Sequence, residues 1–254
     1  MGIHTADAII LRQYPYRETS VLVTCLTDRF GKIKGLVKGL RDAQRPRYRS
    51  AMEPLTLNRL VFYDTRTSSL HLISQCELLA GYQALPQDLE AMRVAASCVE
   101  LADVVLELDE PQPLIFQLLK EALARLDAGE RRLSMVRIHF ILRLLRLAGF
   151  HPQLDECTGC TQRPADQQAF WSARQGGLVC ERCLHQDPQA EVIPPAMLDA
   201  FIQCAEADGP HRVNPTQTTA IQRYLDQFLR WRLDRPLKTM MNMGKWEVGS
   251  GKWG

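Results

Sequence analysis

Along the first eighty residues, apolar positions recur at every second residue or in short runs broken by turn formers, the pattern of half-buried strands. Ala6, Ala8 and Ile10 alternate, the β-branched run Thr19 to Thr27 follows, and Ile33 to Leu40, Leu55 to Phe62 and Leu70 to Leu79 complete five segments. The Asp28-Arg29-Phe30-Gly31 stretch predicts a hairpin with a glycine at positive φ, and Gly35 and Gly39 predict bulges or tight curvature. Five short strands leave two open edges unless the sheet curls onto itself, so the pattern predicts a small closed barrel.

From Pro86 the period lengthens. Leu89, Met92, Ala96 and Val99 recur at helical spacing, and Ile115, Leu119, Ala122 and Leu126 mark a second helix that Gly129 ends. A third, from about Arg132 to Ala148, is apolar nearly all round and reads as the buried centre of a bundle, with Gly149 closing it. Its Arg137, Arg143 and Arg146 are expected on an outward stripe or in ion pairs with Glu100 or Glu107. Residues 150–190, rich in cysteine, glutamine and turn formers, interrupt the pattern before helical spacing resumes at Pro195 with Met197, Phe201 and Ile202. Asn214 and Pro215 supply a cap and first turn for the last helix, whose Ile221, Leu225, Phe228 and Leu229 point inward. The expected fold is α+β: an N-terminal OB-fold barrel over 1–82, a helical domain over 83–149 and 191–238, and a four-cysteine zinc module inserted at 150–190. Residues 239–254, which repeat Gly-Lys-Trp and are short of aliphatic side chains, are expected to be a disordered tail.

Composition changes this picture little. At 254 residues, 46% hydrophobic and 24% charged, the chain has the make-up of ordinary globular domains, and a net charge of +2 selects no partner. No run approaches the ~18 apolar residues of a membrane span, and Met1 to Asp7 lacks a signal-peptide layout, so a cytoplasmic protein with no membrane partner is expected. In that compartment the eight cysteines are expected to be thiols or metal ligands rather than disulfides.

Cys157-Thr-Gly-Cys160 and Cys180-Glu-Arg-Cys183 form two C-x2-C pairs separated by nineteen residues, the spacing of a zinc ribbon or knuckle. Two residues between cysteines let a tight turn aim both thiolates at one Zn2+ ion; Gly159 eases that turn, and two such pairs complete a tetrahedron of sulfur. A full coordination sphere leaves no place for an activated water, so the role is structural. Some forty residues with few aliphatic side chains cannot fold on their own core, and zinc supplies on the order of 10 kcal/mol of ordering. His185 reads as a solvated side chain, with a competing ligand role as the alternative, and Cys25, Cys76, Cys98 and Cys204, each alone in an apolar pattern, read as core residues.

The charge that matters is local. Between Arg29 and Arg49 lie Arg29, Lys32, Lys34, Lys38, Arg41, Arg45, Arg47 and Arg49 against Asp42 alone. Lys32, Lys34 and Lys38 are evenly spaced and share one face of a strand; Arg41 to Arg49 continue as a loop carrying Tyr48. Such a surface attracts phosphates through counterion release, and Tyr48 or Phe30 offers a stacking plane for an unpaired base. A lysine-rich face that merely discourages edge pairing is the competing reading. A second basic set, Arg223, Arg230, Arg232, Arg235 and Lys238 with Tyr224 and Trp231 interleaved, reads as a solvated face.

Tyr16-Arg17-Glu18-Thr19-Ser20, Leu26-Thr27, Gly31-Lys32 and Lys38-Gly39-Leu40-Arg41, followed by the helices and the four cysteines in that order, resemble the bacterial RecO family over all but the tail. Leu40 departs from the family pattern, in which a small residue is commoner. The resemblance implies a DNA repair and recombination mediator that binds single- and double-stranded DNA and anneals complementary strands. It also implies work with RecR, contact with the C-terminal tail of the single-strand DNA-binding protein, and thereby indirect help in loading RecA. In the family the basic barrel face contacts DNA, and Lys32, Lys34, Lys38 and Arg41 match it, with Arg45, Arg47 and Arg49 as the loop extension.

Other functions fit less well. A zinc deaminase needs a His-x-Glu motif, and none occurs; Gly251-Lys252 is followed by Trp253, so it is no phosphate-binding loop. A dithiol switch is disfavoured by two C-x2-C pairs at zinc spacing. The expectation is a protein that is not an enzyme, with a zinc-containing interaction scaffold lacking DNA contact as the alternative.

Overall fold

A computed structural model describes residues 2–39, 52–64, 70–163, 168–233 and 237–239. The chain divides into two compact units, Met1–Arg131 and Arg132–Gly254. This departs from the sequence reading, which placed all helices in one domain.

The first unit is built on strands β1 (Ile3–Tyr16), β2 (Ser20–Thr27), β3 (Gly31–Val37), β4 (Leu57–Tyr63) and β5 (Leu70–Ala80). They close a barrel in the order β1-β2-β3-β5-β4, with β4 returning to β1. Every pairing is antiparallel except β3 with β5. This is the five-stranded oligonucleotide-binding topology. Alternation decides the inside: Ala6, Ala8 and Ile10 of β1, Val21, Val23 and Cys25 of β2, and Ile33 and Val37 of β3 are buried in one core with Leu60 and Phe62. Each fully buried aliphatic side chain there contributes about 1.5–3 kcal/mol. The β2–β3 turn has its expected glycine, Gly31 at φ 69°, but the ladder irregularity of β1 falls between Ile10 and Arg12, with Leu11 as the extra residue.

Helices α1 (Leu89–Val105) and α2 (Pro113–Asp127) belong to this unit. Asp88 caps α1 by accepting from the Glu90 and Ala91 amides. The linker between the helices is stitched to the barrel: the Asp109 amide donates to the Lys32 carbonyl at 2.8 Å. A Cβ on Gly31 would lie 1.9 Å from the Glu110 carbonyl oxygen, so this position needs glycine for its φ and for the passage of the linker.

The second unit holds α3 (Leu133–Leu147), α4 (Pro195–Glu206) and α5 (Pro215–Arg232), with a small sheet between α3 and α4. That sheet, ordered β7-β6-β8, comprises β6 (Ala169–Ser172), β7 (Gly177–Cys180) and β8 (Glu191–Val192). Asn214 and Gln217 form a reciprocal capping box at the start of α5. Trp171 of β6 is buried against Phe201 of α4 and against Tyr224 and Phe228 of α5, with ring centroids 5.4, 5.5 and 6.3 Å away. Helix α3 is buried as its composition requires; Arg146 is exposed, and the helix's other two arginines have acids within this unit. Arg137, 2% exposed, donates to Asp226 at 2.6 Å, and Arg143 lies 3.7 Å from Asp208. Among the described residues no helix is long and apolar enough to cross a membrane.

Candidate nucleic-acid face and metal centre

The outer surface of β1, β2 and β3 is read from register, because paired residues point to the same side. One row runs Arg12, Thr24, Lys34; the next runs Tyr14, Leu22, Leu36; a third holds Tyr16 and Ser20. Lys34 and Lys38 are exposed. Tyr14 is 51% exposed and Tyr16 half-buried, with the Arg17 guanidinium 5.3 Å from the Tyr16 ring centre. Cations and aromatic planes thus share one side of the barrel.

Two residues named from sequence do not belong to this open surface. Lys32 is on the same face as Lys34 but only 8% exposed, because α1 covers it. Its Nζ donates to the Asp103 carbonyl at 2.7 Å and lies 3.5 Å from the Asp103 carboxylate, which also pairs with Arg12. Its charge is spent inside the protein, and Lys32 is an anchor for α1 rather than a phosphate ligand. Phe30 is also engaged: its ring packs 4.9 Å from His4 and edge-on to Phe62 at 5.3 Å. That Tyr14 and Tyr16 share a face was legible, as they are two apart in a strand, but the direction of that face was not. Alternation from Ile10 points them inward, and only the extra residue Leu11 turns them out. Arg41, Arg45, Arg47, Arg49 and Tyr48 lie outside the described residues.

In the second unit, Cys157 and Cys160 lie on a turn, Cys180 ends β7, and Cys183 follows in the 3-10 turn Glu181–Gln186. The four Sγ atoms all lie within 4.8 Å of one another, with Cys160 and Cys180 at 3.7 Å. A zinc-sized ion with four sulfurs at ~2.3 Å sets them about 3.8 Å apart, so the cluster fits a tetrahedral thiolate centre and is too open for disulfides. The turn is held by Thr161 N–H to Cys157 O at 2.8 Å and Thr158 N–H to Leu178 O at 2.8 Å. Gly159 acts here through space: a Cβ would approach Cys183 Cβ to 3.1 Å.

The electrostatics of the cluster also suit a cation. Burial works to raise the Cys157 thiol, but amide groups of Cys180, Cys160 and Gly159 outweigh it and bring it down to about 6. Burial and then the neighbouring sulfurs of Cys180, Cys160 and Cys157 push Cys183 up to about 12. Packed sulfurs resist a last negative charge until a metal ion supplies the positive one. His185 engages its own turn, with Nδ1 2.9 Å from the Arg182 carbonyl oxygen, and is not among the clustered ligand atoms. Burial pushes Cys25 up to about 12 and Cys76 and Cys204 up to about 11, as expected of inert core thiols.

By strand order the first unit is an oligonucleotide-binding-type barrel, and the second adds a four-cysteine group able to hold a metal, so the chain is a two-unit barrel protein with a thiolate module. Comparison with known proteins narrows that class. Residues 1–82 match the model of the recombination protein O N terminal domain, and residues 86–241 that of the recombination protein O C terminal domain. DNA repair protein RecO of Myxococcus xanthus is 33% identical over 235 residues, covering 92% of this chain and 94% of its own. DNA repair protein RecO of Koribacter versatilis is 31% identical over 242 residues, covering 94% and 98%. The chain belongs to the RecO family of DNA repair proteins.

Proposed function

We propose that the protein is a cytoplasmic recombination mediator that binds single- and double-stranded DNA on its barrel and anneals complementary strands without breaking a bond. The observation that supports this reading is the outward-facing Tyr14 and Tyr16 of β1 together with exposed Lys34 on β3 and exposed Lys38 just after it. Phosphates meet the lysines while unpaired bases stack on the tyrosines, at ~1–3 kcal/mol per stacked base. Annealing follows from neutralisation: a positive surface holds two mutually repelling strands close while base pairing selects the sequence. With RecR, and through the C-terminal tail of the single-strand DNA-binding protein, the same activity assists RecA loading, as the family relationship implies. The four-cysteine group takes structural Zn2+, which orders the segment around it; Cys157, Cys160, Cys180 and Cys183 hold it, and no catalytic role is assigned.

The deciding experiment is a salt titration of single-strand binding. Lys34, Lys38, Arg41, Arg45, Arg47 and Arg49 are the six cations of the proposed interface. Six phosphate contacts give log affinity against log salt a slope near −4, from about −0.7 per cation. Lys34→Glu with Lys38→Glu is expected to flatten that slope. An unchanged slope moves DNA off this face, and absence of binding in dilute buffer favours the interaction-scaffold reading.

A further inference from the structure

The C-terminal turn of α5 presents a large aromatic ring that the described residues leave mostly exposed. Trp231 is 62% exposed, although its neighbours on the helix, Phe228 and Leu229, are fully buried. The turn is not frayed. Arg232 stacks on Phe228 at 5.5 Å and donates to the Gln175 carbonyl at 3.2 Å, tying the helix end to the β6–β7 turn. Gly176, at φ 89°, makes room for that guanidinium: a Cβ there would lie 1.8 Å from it. Trp231 is therefore held out on a rigid support, flanked by arginines on both sides in sequence.

Among the described residues, two acids that contact α5 are internally paired. Asp226 is paired with Arg137, and Glu191 with Arg223 at 2.7 Å and with a further bond from Gln227. Arg230 is exposed, and so is Arg174 in the turn to which Arg232 is bonded. Arginines at a helix C-terminus complement its dipole, which explains the charge but not the bare indole between them. An exposed tryptophan beside guanidinium groups is the surface on which single-stranded nucleic acids stack.

We propose that this patch is a second single-strand contact, in the second unit and separate from the barrel face, with Trp231 stacking on a base while Arg230 and Arg174 meet the flanking phosphates. The inference rests on the reading that the protein binds single strands at all. It gives the protein a second place to hold a strand, which adds to the annealing that the barrel face supports.

Oligo(dT) quenching of tryptophan emission tests it, since a stacked thymine quenches the indole beneath it. The full-length protein with Trp246→Phe and Trp253→Phe keeps buried Trp171 and exposed Trp231. Its emission is expected to fall with oligo(dT) and recover with salt, and the further change Trp231→Phe is expected to abolish the response while leaving the far-ultraviolet spectrum unchanged. Arg230→Glu with Arg174→Glu is expected to lower the annealing rate several-fold. Binding by anisotropy with neither quenching nor slower annealing in these variants overturns the second contact and leaves the barrel reading standing. Loss of all anisotropy change in the unmodified protein removes both.

Discussion

Lys32 and Lys34 stand two positions apart on one strand and point the same way, yet they do different work. The difference comes from Asp103, seventy-one positions away, whose carbonyl and carboxylate take the Lys32 ammonium. Lys32→Met removes the ammonium from the Asp103 carbonyl and carboxylate and is expected to cost about 1–3 kcal/mol, while Lys32→Glu, which sets two buried acids together, is expected to cost about 3–5 kcal/mol. Lys34→Ala is expected to leave stability within ~0.5 kcal/mol but reduce the salt slope by about 0.7. Urea unfolding beside salt titration of the variants separates the roles; a weakened slope in folded Lys32→Met would return Lys32 to the interface. Even spacing made the shared face legible in the sequence. No local pattern tells which lysine of such a face a helix from elsewhere will cover, and Leu11 hid Tyr14 in the same way, by reversing the parity on which the reading depends.

At the scale of elements, the cysteine spacing was read correctly as one cluster because C-x2-C is a local geometric constraint, and the helices were read from their period. One partner was not: Arg137 pairs with Asp226 of α5, since periodicity gives a helix its faces but not its neighbours. Trp171 of the small sheet packs against aromatic rings of α4 and α5. Removing the metal with a chelator is therefore expected to loosen that aromatic cluster, shifting Trp171 emission to the red and exposing four thiols to alkylation while Cys25, Cys98 and Cys204 stay protected. Metal retention is expected to depend on pH with a definite sign. Thiolates bind and thiols do not, so the contribution of Cys157, whose folded value is about 6 against an ordinary ~8.5, is full above the ordinary value and lost as pH falls through about 6. Zinc release followed by a colorimetric indicator from pH 8 to 5 measures it; retention unchanged at pH 5 would count against a thiolate centre.

For the molecule as a whole, the division at Arg131/Arg132 has a practical consequence, since the N-terminal family match ends at residue 82. A fragment ending at residue 82 lacks Asp103 and the linker that crosses Gly31, stranding Arg12 and Lys32 without their acid and baring apolar surface that α1 and α2 cover. The fragment 1–131 keeps all of these. It is expected to unfold cooperatively and to be several kcal/mol more stable than 1–82, as compared by urea denaturation; equal stability would mean that the helices merely lean on the barrel. The sequence showed where the period changes from two to 3.6, and that is a change of secondary structure. It is not the place where one core ends, because cores are closed by long-range contacts that leave no periodic trace.

Among the described residues, the barrel's parallel pairing joins β3 to β5 through four residue pairs, Lys34 with Leu70 to Val37 with Ile73, whereas β1 and β2 share eight. A cylinder shut by one short zip has a preferred place to breathe, and the proposed DNA residue Lys34 sits on it. Amide hydrogens of Leu36 and Val37 should then exchange faster than those at the middle of β1. A bound strand that bridges the zip should slow them, so occupancy of the face can be timed by isotope exchange without any label on the DNA.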